Sequence, residues 1–399
     1  MEQLFFRFNP WWDEEISYNF VERKTYLLQM EQSMKRKDIA ILTGLRRIGK
    51  TTLMKLFIER LIKNHDIEPK RIFYISLDTY GLEHYSIMEI IDEYRKIHKL
   101  SFSEQIFLFL DEITYKENFQ QELKNLYDLG NVKIYASSSA SSILKDKKAY
   151  LTGREKIIEI LPLAFEEYLL FKEINLSKAD SHLLDRYFHD YMQTGGIPEY
   201  VLTGDIAYLV ELLDDIIYKD IIAAHGIRDK KIIRDYFRLL MERAGKQVSL
   251  NKISKILGIG VDTARRYLSY FEDTYLIHPV ERCGKLNERL KSPKKIYAGD
   301  IGIKNIYTGF RDKGAVFENL VYLKIKHKNP CYIYKNKIEI DFLTKDKILI
   351  EAKYNSELID KQKKLFESIN ADKKILIKNV KDFTSDLCLP TSVPDSGGK

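Results

Sequence analysis

The stretch Gly44-Leu45-Arg46-Arg47-Ile48-Gly49-Lys50-Thr51-Thr52 constrains this chain more than any other. It matches GxxxxGK[ST], a loop whose backbone N–H groups surround a phosphate chain when it sits between a strand and a helix. Both flanks are legible. Ile39–Leu42 is an apolar run of strand length, and Leu53, Leu56, Phe57, Leu61 and Ile62 recur at helical spacing afterwards. Gly44 and Gly49 free the backbone to aim several N–H groups at one anion. Residues 44–52 are therefore the candidate nucleotide-binding set. Within it, Lys50 is expected at the β/γ-phosphates and the Thr51 hydroxyl on magnesium.

The second half of such a site follows. Ile106–Leu110 reads as a buried strand that ends in Asp111-Glu112. Asp111 is the candidate magnesium ligand, and Glu112 the general base that orients the attacking water. Another candidate strand, Arg71–Asp78, lies between these two in sequence. An inserted strand and an acid next to the metal aspartate point to a hydrolytic P-loop ATPase. Val132–Ala136 is a further strand, ending in Ser137-Ser138-Ser139. Ser138 is the candidate contact to the γ-phosphate or the water, with helix capping as its alternative. Arg154, in Leu151-Thr-Gly-Arg154, is the candidate arginine finger, in cis or from a neighbour; the alternative is a surface arginine.

At 399 residues the chain is too long for one hydrophobic core and should hold two to four domains. Its 45% hydrophobic and 31% charged residues exclude a largely disordered chain. No apolar run reaches the roughly 18 residues that span a bilayer, and the start lacks a basic n-region. A cytoplasmic protein without a membrane anchor is expected. Cys283, Cys331 and Cys388 are widely spaced, which suggests neither a disulfide framework nor a CxxC metal pair and fits a reducing cytosol. The eight histidines show no HxxxH or HExxH spacing, so zinc has no support.

The net charge of +7 is concentrated. Residues 227–295 hold 17 Lys/Arg against 8 Asp/Glu, a local +9. This suggests a polyanion-binding module, the alternative being a solvated basic surface. Within the segment, helix Leu250–Leu257, the turn Gly258-Ile-Gly260 and a helix carrying Thr263, Arg265 and Arg266 read as a helix-turn-helix, with Tyr275–Val280 as a wing strand. Arg266 and Thr263 would enter the major groove. The alternative is a rigid spacer or a protein dock.

Farther on, Ala315–Lys328 reads as a helix with Glu318 off its apolar stripe. Cys331–Tyr334, Ile338–Leu343 and Ile348–Tyr354 read as strands, the last two forming a hairpin. Pairing the apolar faces sets Phe342 opposite Ile350 and Asp341 opposite Glu351. Carboxylates so placed repel unless a divalent cation lies between them. Asp341 and Glu351 are thus candidate metal ligands, Lys353 a candidate charge stabiliser and Glu318 a fourth catalytic candidate. The alternative is a charged outer face in which Glu339 and Lys353 form a cross-strand pair.

NPWW at Asn9–Trp12, GLRRIGKTT, FLDE, SSSASS, LTGR, Leu161–Tyr168 and Gly195-Gly-Ile-Pro-Glu199 follow one another as in prokaryotic AAA-type ATPases of the archaeal-ATPase kind, which the chain resembles. It departs at Ala136-Ser137, where that group has Thr-Gly. The Asp341…Glu351-x-Lys353 pattern with Glu318 resembles the core of restriction-endonuclease-like nucleases. The resemblance implies a multidomain α/β chain: P-loop ATPase domain (1–160), helical lid (161–225), winged helix (226–290), restriction-endonuclease-like domain (291–388) and disordered tail (389–399). It implies an ATP-hydrolysing protein with ATP and magnesium as cofactors. Such a protein would act on DNA through the winged helix and a magnesium-dependent nuclease-like domain, and it is compatible with a homo-oligomer. The competing expectation is a nucleotide-controlled switch or scaffold with an inactive nuclease-like domain and a protein partner.

Overall fold

In a computed structural model, which describes residues 1–141 and 151–385, the four expected apolar runs become the strands β1 (Ile39–Thr43), β2 (Ile72–Ser76), β3 (Ile106–Asp111) and β4 (Val132–Ser138), and a fifth strand that was not expected, β5 (Glu155–Glu159), joins them. They form one sheet in the order β2-β3-β4-β1-β5, and every pair is parallel. β1 and β3 are buried along their whole length, as strands covered on both faces must be. The strand inserted between β1 and β3 is β4, and the 71–78 segment supplies the edge strand β2 instead. These elements belong to the first of two compact units, Met1–Leu161 with Asp273–Tyr275; the second comprises Pro162–Glu272 and Leu276 onward.

The NPWW segment finds its physical reason at the β2 edge. An edge strand exposes backbone groups that demand partners. Asn9, fully buried, donates to Tyr74 O (2.9 Å) and Phe5 O (2.8 Å) and accepts from Tyr74 N (2.6 Å). The indole N–H groups of Trp11 and Trp12 both donate to Ile72 O, at 3.2 and 3.0 Å. The N-terminal segment thus caps the edge that the sheet leaves open.

The second unit begins with helices, among them Phe165–Phe171, Leu184–Thr194, Ile206–Asp215 and Lys230–Glu242. A three-stranded antiparallel sheet follows, with β8 (Lys294–Ala298) between β6 (Lys246–Val248) and β7 (Ile277–Val280). Helices Leu250–Leu257 and Val261–Asp273 lie between β6 and β7 in sequence, separated by Gly258 in the left-handed region (φ 66°). A four-stranded sheet comes last, in the order β12-β11-β10-β9. It comprises β9 (Cys331–Lys335), β10 (Ile338–Leu343), β11 (Ile348–Ala352) and β12 (Lys373–Ile377), and β12 runs parallel to β11. The tail expected at 389–399 lies outside the described residues.

Asp300, to which the sequence assigns no role, is buried and joins two elements. Its carboxylate caps helix Ile301–Thr308 through Ile303 N (3.1 Å) and accepts from Gly196 N (2.7 Å). The approach explains the glycines. A Cβ on Gly196 would lie 2.6 Å from the backbone N and O of Leu163, and one on Gly195 would lie 2.5 Å from Gly302 N.

The cysteine expectation needs correcting. Cys283 and Cys331 form a disulfide across 48 residues of sequence. Cys283 N donates to Tyr332 O (2.7 Å) and Tyr332 N to Glu281 O (3.0 Å), so the backbone pairs the two segments beside the sulfurs. Wide spacing in sequence places no limit on such a meeting, and the paired Cys283 and Cys331 no longer point to a reducing cytosol.

Candidate functional site

The glycine loop leaves the end of β1 and enters helix Lys50–His65, whose N-cap Gly49 has φ 99°. Gly44 has φ 142°, and a Cβ there would stand 2.4 Å from Ile160 O, so only glycine fits. Leu45 and Ile48 are buried and anchor the loop from below, while Arg46 is half-buried, Arg47 exposed and Thr52 half-buried. The ammonium of Lys50, itself buried, donates to Gly44 O (3.1 Å) and Leu45 O (3.2 Å) inside the loop.

The two halves of the site meet. Thr51 Oγ1 donates to Asp111 Oδ2 at 2.6 Å. Tyr74 O–H reaches the same oxygen at 2.9 Å, and the Ser137 hydroxyl donates to Asp111 Oδ1. Burial, then the charge of Asp111, pushes the Tyr74 phenol far up, so it remains a donor at all ordinary pH. Glu112 occupies the left-handed region (φ 52°), and its N–H donates to Ser137 Oγ at 3.0 Å. Its carboxylate accepts from Ser139 Oγ (3.1 Å) and Ser139 N (3.3 Å). Burial raises the Glu112 carboxyl above the usual range against the opposing pull of Lys50, a direction that favours a proton acceptor.

Not every expected residue joins this group. Ser138 sits opposite Thr43 in the sheet, but its hydroxyl bonds Ala140 N and O (3.0 and 3.2 Å). The neighbouring serines 137 and 139 face the acids instead. Arg154 must be corrected as a finger acting in cis. Its carbonyl accepts from Ile39 N at the start of β1 (2.8 Å), and its side chain pairs with Asp128 (3.5 Å). At about 3.3 Å per residue, β1 separates that end from Gly44 by roughly 16 Å. Ser137 and Ser139 belong to the serine run from which Ser138 was singled out, whereas Arg23 and Tyr74 were not expected. Arg23 is buried and donates to Ile48 O (3.4 Å) and Leu161 O (2.9 Å), bracing the glycine loop from beneath.

The C-terminal acids converge on one buried ammonium. Lys295, on β8, is 0% exposed and lies 2.7 Å from Glu318 Oε1, 2.5 Å from Glu339 Oε1 and 3.0 Å from Asp341 Oδ1. The β10–β11 register places Phe342 opposite Ile350, as the hairpin pattern requires. One step farther the ladder gives way to side chains: Asp341 N donates to Glu351 Oε2 (2.9 Å), and Ala352 N to Asp341 Oδ2 (3.0 Å). Lys353 pairs with Glu351 at 3.0 Å, and Glu339 pairs with Lys295, so the alternative Glu339–Lys353 pair does not form. Burial, reinforced by the Asp341 charge, raises the carboxyls of Glu318 and Glu351. Among the described residues no three His, Cys, Asp or Glu side chains are placed to hold a metal ion. Asp341 and Glu351 therefore do not fit the magnesium site expected of them, because the ammonium groups of Lys295 and Lys353 already stand against their oxygens at 3.0 Å.

A family model described as an AAA domain matches residues 36–169, and a domain of unknown function (DUF8612) matches residues 185–314. The Methanocaldococcus jannaschii protein MJ1544, itself uncharacterized, is 31% identical over 369 residues, covering 86% of this chain and 80% of that protein. A Haemophilus influenzae protein is 26% identical over 353 residues, covering 84% of this chain and 86% of its own length. Among solved structures, the Walker-type ATPase paby2304 of Pyrococcus abyssi aligns with 75% of this chain and 99% of its own, at 15% identity and a TM-score of 0.46. With its glycine loop, Asp111 and Glu112 assembled on a parallel sheet, the chain belongs to the family of MJ1544 and carries an AAA-type P-loop ATPase domain.

Proposed function

We propose that this protein hydrolyses ATP in its first unit and uses the cycle to act on duplex DNA through the second. The observation that carries the reading is the 2.6 Å pairing of Thr51 with Asp111 beside Lys50 and Glu112. Two hard oxygen donors side by side at the mouth of a phosphate loop fit magnesium. When bound, the ion would neutralise charge on the β- and γ-phosphates. Lys50 would leave the loop carbonyls for the phosphates. Glu112, held by Ser139, would take the proton of the attacking water.

Support for DNA comes from the segment read as a winged helix, residues 226–290. Helix Val261–Asp273 buries Ala264, Leu268 and Phe271 and exposes Arg265 and Arg266. A glycine-turn helix pair beside an antiparallel sheet supports the reading, although the middle strand of that sheet, Lys294–Ala298, lies just beyond residue 290. The four-stranded sheet is read as the restriction-endonuclease-like domain. The test is ATP turnover with and without duplex DNA across a salt series. Stimulation that fades as salt rises supports the coupling; turnover indifferent to DNA at every salt concentration contradicts it. The second reading, a nucleotide-controlled switch with a protein partner, is favoured by one observation, the buried Lys295 among the C-terminal acids.

A further inference from the structure

We propose that Lys295 is the resident cation of the C-terminal carboxylate cluster and that this cluster excludes divalent metal. Glu318, from helix Lys313–Ile325, and Glu339 and Asp341, from β10, point their oxygens at a single Nζ within 2.5–3.0 Å. The cation at the point of convergence is supplied by the chain itself. The ammonium donates to Glu339 and Asp341 and forms an ion pair with Glu318 at 2.7 Å.

Most of the cluster's remaining lone pairs are engaged as well. Glu339 Oε2 accepts from Gln247 (2.7 Å), and Glu318 Oε1, the oxygen that faces Lys295, also accepts from Tyr297 O–H (2.6 Å). Asp341 Oδ2 and Glu351 Oε2 accept from the backbone N–H groups of Ala352 and Asp341, while Glu351 Oε1 accepts from Gln362 (2.6 Å) and pairs with Lys353 (3.0 Å). A divalent ion needs about six oxygens with lone pairs directed at it, and entry here would mean breaking several of these bonds together.

Lys295 is also poorly placed to withdraw. It lies on the middle strand of the three-stranded sheet, paired with Gln247 of β6 on one side and Val280 of β7 on the other. Retraction would leave three carboxylates facing one another without the ammonium they share, so the ammonium is a fixed part of the fold. The cluster fastens β8 to β10 and to helix Lys313–Ile325. It offers no metal-activated water for cutting a phosphodiester. This holds whether or not the protein responds to DNA.

Mn2+ titration of the nucleotide-free full-length protein, followed by electron paramagnetic resonance, tests the proposal. An Asp111→Asn background removes the nucleotide-site ligand. The expected result is a free Mn2+ signal as strong as in buffer alone. Uptake of one Mn2+ per chain that disappears on adding Asp341→Asn would overturn the proposal. Lys295→Met in the same background should gain one Mn2+ per chain, with a melting temperature that rises when the ion is added. A folded Lys295→Met protein that takes up none would contradict the ammonium as occupant. Should that variant fail to fold, the titration of the Lys295-containing protein decides alone.

Discussion

The Thr51 hydroxyl donates to Asp111 at 2.6 Å, joining the first turn of the helix after the glycine loop to the end of a strand two positions away in the sheet. Asp111→Asn should therefore keep ATP binding but lose its dependence on magnesium. Calorimetry with and without the ion should show wild type tightening at least about tenfold, equivalent to 1.4 kcal/mol, and the variant scarcely changing. An equal magnesium response in both proteins would remove Asp111 from the site.

Asn9 satisfies both backbone groups of Tyr74 at the sheet edge. Asn9→Ala leaves them buried without these partners, at about 1–3 kcal/mol per group. A melting temperature lowered by several degrees is expected. Because Tyr74 also holds Asp111, nucleotide affinity should fall with it. An unchanged melting temperature would mean that the edge needs no cap.

Burial, against three backbone N–H donors, pushes the Asp300 carboxyl up to about 6 from an ordinary 3.8. Between those values the unfolded chain is the more ionised at this position. This residue's contribution to stability is thus full below pH 3.8 and is lost as pH rises through about 6. Asp300→Asn should flatten that part of the profile, measured as the difference in melting temperature between the two proteins from pH 4 to 7. A constant difference would show that Asp300 does not titrate there.

Replacing Arg265 and Arg266 together by Ala should weaken duplex binding and reduce the slope of log affinity against log salt by up to about 2. ATP binding should be unchanged. Fluorescence anisotropy with labelled duplex reads the slope, and an identical slope would move the contact elsewhere.

Legibility followed locality. Gly44 to Thr52 is contiguous, and its flanking strand and helix carry their own periodicity, so the nucleotide loop was readable residue by residue. Asp341 and Glu351 were readable as neighbours because a tight turn fixes their hairpin register. Ser137, Ser139 and Tyr74 were not, since crossovers set the neighbours in a parallel sheet and spacing does not record the register. Lys295 was hidden for a similar reason: its partners lie on a helix and a strand of other elements, and a lysine in a basic run reads as solvated. β12 was missed because the apolar run Ile375-Leu-Ile377 is too short to stand out. Cys283 and Cys331 meet through a backbone bridge that cysteine spacing cannot show.

The most direct test of the account is single-turnover ATP hydrolysis by Glu112→Gln beside wild type, with ATP affinity measured on both. The account predicts retained binding and a rate at least about 100-fold lower, the loss expected for a general base. A variant that hydrolyses ATP within a few-fold of wild type would contradict the assignment of Glu112 and, with it, the catalytic reading of the site.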